Sequence, residues 1–235
     1  YIDTRLSATK TIKRFKPLPN NKNKESKHIN ISYDIMSQYE SDDSKLQSWV
    51  EEGISPETLQ KYQVRYDPFS NRIVFPIRDI YGNIISVKGR TLDPDFKEKK
   101  LRKYTYFQSI GDVDFFFGYY EHLESIRRQN EVIIFEGEKS VMLTETWGID
   151  NTVAMLTSHL NPLQLPILIQ LGKTVVFALD KDINIFQDDN IKKLSHFVKI
   201  EYIKDCDNLL GDKDAPVDKG EEMWKTLYER RLRFN

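Results

Sequence analysis

Residues 131–140 read Glu131-Val132-Ile133-Ile134-Phe135-Glu136-Gly137-Glu138-Lys139-Ser140, and residues 174–182 read Thr174-Val175-Val176-Phe177-Ala178-Leu179-Asp180-Lys181-Asp182. Each opens as an apolar, β-branched run and stops on an acid, and a helical pattern follows the first from about Glu138 to Trp147. The rhythm repeats around them. Residues 151–155 form a second strand, and Asn161 with Pro162 at the first helical position opens a helix that ends near Gly172. Residues 187–197 read as a helix, 199–203 as a fourth strand and about 218–232 as a last helix. Strands alternating with helices at this spacing predict a mostly parallel sheet with helices on both faces.

Such sheets bind ligands beyond the carboxyl ends of their strands. Three of the four predicted strands end on acids: Glu136 after the first, Asp180 and Asp182 after the third, and Asp205 and Asp207 after the fourth, with Asp212, Asp214 and Asp218 close behind. One acid after a strand needs no function, because loops are polar and helix N-termini favour carboxylates. Three strand ends brought to one edge are different. Like charges packed together are costly without a cation, and oxygen-only ligands favour Mg²⁺ or Mn²⁺. Two such ions can hold the attacking and leaving oxygens of a phosphoryl transfer. Gly137, lacking a Cβ, would let the backbone approach a phosphate.

Toward the N-terminus the composition changes. The 235 residues carry a net charge of −1, but residues 1–110 hold 20 basic and 14 acidic side chains, and residues 111–235 hold 15 and 22. Residues 1–30 are rich in Lys, Asn and Ser and read as a basic linker or tail. Short helices are expected over 31–39 and 44–52, and Ser55-Pro56-Glu57 starts another. Arg72-Ile73-Val74-Phe75-Pro76-Ile77, the turn Tyr81-Gly82-Asn83 and Ile84-Ile85-Ser86-Val87 then predict a hairpin. Arg72, Arg78, Lys88 and Arg90 lie along it. Beyond it Lys97, Lys99, Lys100, Arg102 and Lys103 crowd against Tyr104 and Tyr106, a mixture suited to phosphate contact and base stacking. Cys206 is the sole cysteine, which excludes an internal disulfide framework and a cysteine-based zinc site. No apolar run approaches the roughly 18 residues of a membrane span and no signal-peptide pattern opens the sequence, so a reducing cytoplasm is the expected setting.

Glu136-Gly137 before a helix, with Asp180-x-Asp182 after an apolar strand, resembles the Toprim signature of bacterial primases, topoisomerases and certain nucleases. Asn71-Arg72-Ile73-Val74-Phe75-Pro76-Ile77-Arg78-Asp79, Tyr81-Gly82-Asn83, Lys88-Gly89-Arg90 and Lys103-Tyr104 narrow the resemblance to the catalytic core of DnaG-type primases. Trp49-x-x-Glu52-Gly53-Ile54 through Tyr66-Asp67 is similar to the start of that core, and Glu136-Gly137-Glu138-Lys139-Ser140 is most like the primases of bacteriophages. The resemblance spans roughly residues 45–220. It implies an α/β fold: a basic mixed α/β subdomain over 31–112, a doubly wound Toprim subdomain over 113–208, and a C-terminal acidic loop and helix over 209–235. It implies synthesis of short RNA primers from ribonucleoside triphosphates on a single-stranded DNA template, and a replicative helicase as a partner through regions outside the chain. By motif Glu136, Asp180 and Asp182 would be catalytic and, with Asp214 and Asp218, would hold Mg²⁺ or Mn²⁺; Asp205 and Asp207 compete for the last place. Arg72, Arg78, Lys88, Arg90, Lys103, Tyr104 and Lys139 would hold nucleic acid or nucleotide.

The sequence departs from the family at Ser140, where many members carry an acid, and Glu138 offers a substitute carboxylate. The cysteines and histidine of the family's zinc-binding domain are not among these residues, so the chain is expected to be a core fragment. A metal-dependent nuclease and a non-catalytic nucleic-acid-binding remnant are the alternatives. His159, in a loop beside the predicted sheet edge, is a further nucleotide-contact candidate; His28, His122 and His196 are expected at the surface, and Phe115–Tyr120 in packing.

Overall fold

A computed structural model describes residues 31–234; the basic segment expected over 1–30 lies outside them. A 3₁₀ turn (Tyr33–Gln38) and two short helices, α1 (Asp43–Glu51) and α2 (Pro56–Lys61), lead into an antiparallel sheet. Both helices start on side-chain caps, Asp42 for α1 and Ser55 for α2, with Pro56 at the head of α2. The sheet comprises β1 (Arg65–Asp67), β2 (Arg72–Arg78), β3 (Ile84–Thr91) and β4 (Tyr104–Tyr106), in that order. The β2–β3 turn is organised by Asp79, whose Oδ1 accepts the amides of Tyr81 and Asn83 at 2.9 Å each.

The second half alternates strand and helix as its sequence predicts. It contains α3 (Tyr119–Arg128), β5 (Glu131–Phe135), α4 (Glu138–Thr146), β6 (Thr152–Ala154), α5 (Leu165–Leu171), β7 (Thr174–Phe177), α6 (Asp189–Leu194), β8 (Ile200–Tyr202), α7 (Glu221–Glu229) and β9 (Leu232–Arg233). The sheet order is β6-β5-β7-β8-β9, parallel through β8 with β9 antiparallel at the edge. Helix α3 and strands β1, β4 and β9 are additions to the sequence reading. Helix α5 begins at Leu165 with Pro166 in its first turn, later than Asn161-Pro162 predicts. Its residues 162–164 form turns instead, and the Gln164 amide reaches back to the carbonyls of Phe115 and Met155 at 2.7 and 3.2 Å.

One cluster of buried side chains joins the two sheets. Trp49 and Phe75 from the antiparallel half meet Phe117, and Phe135 packs on Trp224 of α7, all within the same core. Gly118, at φ +80°, turns the chain from that core into α3; a Cβ there would stand 2.9 Å from Val141 Cγ1. Phe115, Phe116 and Phe117 are buried, as their packing role predicts.

His122 is not at the surface. It is 1% exposed on α3, with Nδ1 bonded to the Thr152 carbonyl at 2.7 Å and Nε2 to Glu145 at 2.6 Å, while the Tyr62 hydroxyl lies 2.9 Å from Nε2. Tyr62, from the N-terminal half, therefore shares a buried polar network with α3 and α4. Burial alone would raise the Glu145 carboxyl, but the bonds from His122 and Lys61 outweigh it and hold it at about 2, below its ordinary 4.5. A depressed carboxyl stabilises the fold fully above about pH 4.5 and less as pH falls toward 2. Glu145→Gln is therefore expected to lose about 2 kcal/mol at neutral pH and to flatten the stability profile between about pH 5 and 2, read by urea unfolding at stepped pH. A variant profile as steep as the parent's would show that other carboxylates govern the acid limb.

Candidate active site and nucleic-acid interface

The parallel order places the carboxyl ends of β5, β6, β7 and β8 on one edge. Glu136 follows β5 directly, Asp180 lies three residues beyond β7, and Asp182 sits in the exposed turn after it. Leu156, just past β6, is held at φ +71° while its amide bonds the Glu136 carbonyl at 2.9 Å. A left-handed leucine is a strained residue, and such strain concentrates where a loop is tightly positioned.

Asp180 carries the electrostatic signature of this edge. Burial first, then the charges of Glu136, Asp218, Asp182 and Asp214, push its carboxyl from 3.8 up to about 7. Glu136 is also raised, by burial and by Asp182, with His159 and Lys88 pulling the other way. Five acids distant in sequence thus act on one another across the strand ends. Among the described residues no three carboxylate, imidazole or thiol groups stand together so as to chelate an ion as placed. Charge interaction reaches up to a Debye length of about 8 Å, well beyond ligation distance, so the two observations are compatible.

The C-terminal acids differ in their partners. Asp205 accepts the amides of Leu209 and Leu210 at 2.9 Å and the Lys181 ammonium at 3.1 Å, and Asp207 pairs with Arg230 at 2.5 Å. These two shape the 205–210 loop. Asp214 and Asp218 are the ones whose charge acts on Asp180. Asp214 itself is lowered by the Gly211 amide and by Lys219.

Several residues expected to meet phosphate have other occupations. Arg72 is 8% exposed and its guanidinium donates to the carbonyls of Gly89 at 3.2 Å, Arg102 at 3.0 Å and Lys103 at 3.4 Å. It crosses β3 where Gly89 leaves room: a Cβ there would stand 3.1 Å from Arg72 Cδ. Arg78 bonds Gln63 at 2.5 Å, the Gly82 carbonyl at 3.1 Å and Glu121 at 3.2 Å, fastening β2 to α3. Lys88 is 8% exposed, 2.5 Å from Glu138, with its ammonium over the rings of Tyr104 and Tyr106 at 4.9 and 5.0 Å. Glu138 is 4% exposed. It is bound to Lys88, and Ser140, where the family's acid is absent, is itself buried on α4.

Other basic residues remain reachable. Arg90 pairs with Glu52 at 3.2 Å, and Lys139 binds the other oxygen of the same carboxylate. Both are partly exposed, and Glu52 joins β3 to the first turn of α4. Lys103 is exposed, 5.8 Å above the half-buried ring of Tyr104. Gly137 caps α4 with open space where a Cβ would lie, leaving its face uncovered. His159 is exposed and 3.8 Å from Asp188. Basic β3 thus borders the acidic strand ends, and Lys88 links them, paired with Glu138 and acting on Glu136.

Comparison with known proteins finds similar sequences and similar folds. Residues 1–107 match the family described as DNA primase catalytic core, N-terminal domain. The SPbeta prophage-derived uncharacterized protein YorJ of Bacillus subtilis is 30% identical over 217 residues, covering 79% of this chain and 57% of that protein. A DNA primase of Halalkalibacterium halodurans is 37% identical over 120 residues, covering 50% of this chain and 19% of the primase. The chain therefore spans only part of the length of these relatives. In fold it is similar to the RNA polymerase domain of Mycobacterium tuberculosis primase DnaG, solved with a double-stranded DNA oligomer bearing a 6-nucleotide overhang: TM-score 0.64 at 16% identity, covering 84% of this chain and 78% of that one.

Proposed function

We propose, from the match of residues 1–107 to the DNA primase catalytic core, N-terminal domain, that this chain is the core of a DNA-dependent RNA primase. It joins ribonucleoside triphosphates into short RNA primers on single-stranded DNA. The observation that carries the reading is Asp180, held at about 7 by burial and four neighbouring acids, on an edge that basic β3 borders. On this reading residues 31–112 form the template side, 113–208 a Toprim unit and 209–235 the segment that adds Asp214 and Asp218.

The donor set fits a hard divalent cation. Glu136, Asp180, Asp182, Asp214 and Asp218 offer only carboxylate oxygen, and their mutual repulsion is what such an ion relieves. Bound there, Mg²⁺ or Mn²⁺ supplies acidification of the primer 3′-hydroxyl and neutralisation of the charge growing on pyrophosphate. The acids need only remain ionised and in place. Lys88 favours the ionised form of Glu136 without leaving its own pocket. Arg90, Lys103 and Lys139 are positioned to take phosphates of template, primer or nucleotide, whereas Arg72 and Arg78 keep the basic sheet in shape. A cytoplasmic setting and a replicative helicase, met outside these residues, complete the proposal.

The test is one gel. The protein is incubated with single-stranded DNA, labelled ribonucleotides and Mg²⁺ or Mn²⁺, beside a lane of end-labelled DNA. Short metal-dependent RNA products support primase. Cut DNA without RNA would move the site to nuclease chemistry, and neither product would favour a non-catalytic binding remnant. In a parallel binding assay Lys103→Ala is expected to weaken single-stranded DNA binding and reduce the slope of log affinity against log salt by about one. An unaltered slope would place Lys103 off the phosphate track.

A further inference from the structure

Phe69 is fully exposed, at 101% relative accessibility. It stands in the tight turn between β1 and β2, and that turn is well fastened. Asp67 Oδ1 accepts the Phe69 amide at 3.1 Å, Asp67 Oδ2 accepts the Ser70 hydroxyl at 2.5 Å, and Asn71, at φ +51°, accepts the Tyr66 hydroxyl at 3.0 Å. The backbone beneath the ring is fixed while the ring makes no use of the core. Folding therefore gains nothing from an aromatic side chain here.

The same turn is bonded to the basic loop. The Asn71 carbonyl accepts the Leu92 amide at 3.0 Å, and Arg72, next in sequence, ties the Arg102 and Lys103 carbonyls. Lys97, Lys100, Arg102 and Lys103 are all exposed on that loop. Lys99 is the member held by acids, at 2.7 Å from Asp93 and 3.9 Å from Asp95, and Glu98 and the turn's own Asp67 are the other nearby carboxylates, four acids against the five basic residues of the loop. Basic side chains therefore outnumber acids beside the ring.

We infer that Phe69 is a base-stacking contact for single-stranded nucleic acid whose phosphates run along the 97–103 loop. The inference rests on the template reading above and adds a residue that reading does not use. A ring at the apex of a turn can stack only on a base whose face is free, which a single strand offers and a paired duplex interior does not. A protein partner fits less well, because the core of a protein interface is depleted in lysine, whereas stacking beside a cationic track is the ordinary construction of a single-strand site. Tyr81 supplies an internal control. It is 74% exposed on the turn at the other end of β2, away from the 97–103 loop.

The experiment measures binding of fluorescein-labelled oligothymidylate to the full chain over a salt series. Phe69→Ala is expected to weaken binding about five- to a hundredfold at every salt concentration without changing the slope. Phe69→Trp should retain affinity, and its indole emission should be quenched on binding. Tyr81→Ala should bind as the parent does. Phe69→Ala binding within about twofold of the parent, an unquenched Trp, or an equal loss in Tyr81→Ala would each overturn the stacking role. If the parent chain binds no single-stranded DNA, the template reading falls and this inference with it; a parent that binds alongside an unaffected Phe69→Ala removes the stacking role alone.

Discussion

On the primase reading, Asp180→Asn is expected to abolish primer synthesis, with a loss of at least about a thousandfold, and to leave the chain folded. The amide keeps the shape of the side chain and removes its charge. Deleting a ligand of a catalytic ion forfeits several kcal/mol of transition-state stabilisation, and each 1.36 kcal/mol is tenfold in rate. Stability should move the other way. A carboxyl raised from 3.8 to about 7 by burial and by Glu136, Asp218, Asp182 and Asp214 destabilises the folded chain above about pH 4, increasingly up to about pH 7. An uncharged amide lacks that liability, so in chelator the variant should melt no lower than the parent at pH 7.5. Ribonucleotide incorporation and thermal melting in EDTA measure the two effects on one preparation. Primer synthesis at the parent rate would remove Asp180 from the site. A variant both inactive and much less stable would make the loss structural.

The strand ends were legible because two independent patterns coincide there. Apolar runs of four or five residues mark buried parallel strands, and an acid immediately after such a run must lie at the sheet edge whatever the surrounding packing. Helix α3 was harder. Its buried face carries His122 and Ser125 beside Ile126, and nothing in the sequence marks those two polar residues as facing the core. Strands β1, β4 and β9 are three, three and two residues long and carry no aliphatic run to mark them. The basic half was legible as composition and not as direction. Arg72 through Ile77 are all buried, so the alternation that tells inward from outward in a half-exposed strand is lost. Charge alone then placed Arg72, Arg78 and Lys88 on nucleic acid, while their partners come from distant segments: Arg102 and Lys103, Glu121, and Glu138. His122 is the same case, since Tyr62 and Glu145 are 60 and 23 residues away.

The largest stability effect is expected where the two halves exchange a buried charge. Lys88 on β3 and Glu138 on α4 are both under a tenth exposed, 2.5 Å apart, with Tyr104 and Tyr106 lying beneath the ammonium. Burial opposes the charged lysine, yet Glu138 and then Tyr106 outweigh it and raise Lys88 above its ordinary value. Its charge therefore depends on its partner. Glu138→Ala strands that ammonium and opens a small cavity, and removing one member of a buried pair costs about 3–5 kcal/mol. Against the roughly 5–15 kcal/mol of a typical domain, that is enough to leave the chain near unfolding at 37 °C. Lys88→Met combined with Glu138→Leu removes both charges and fills the space with apolar atoms, so it should recover most of the loss, since buried pairs are often replaceable by packed hydrophobics. Urea unfolding of the parent, Lys88→Met, Glu138→Leu and the double variant yields the coupling directly, with Glu138→Ala measured beside them. A Glu138→Ala loss under about 1 kcal/mol would mean that water or the two tyrosines already satisfy the lysine. Recovery of stability without recovery of primer synthesis would separate the two duties of Lys88: holding β3 against α4, and placing positive charge near Glu136.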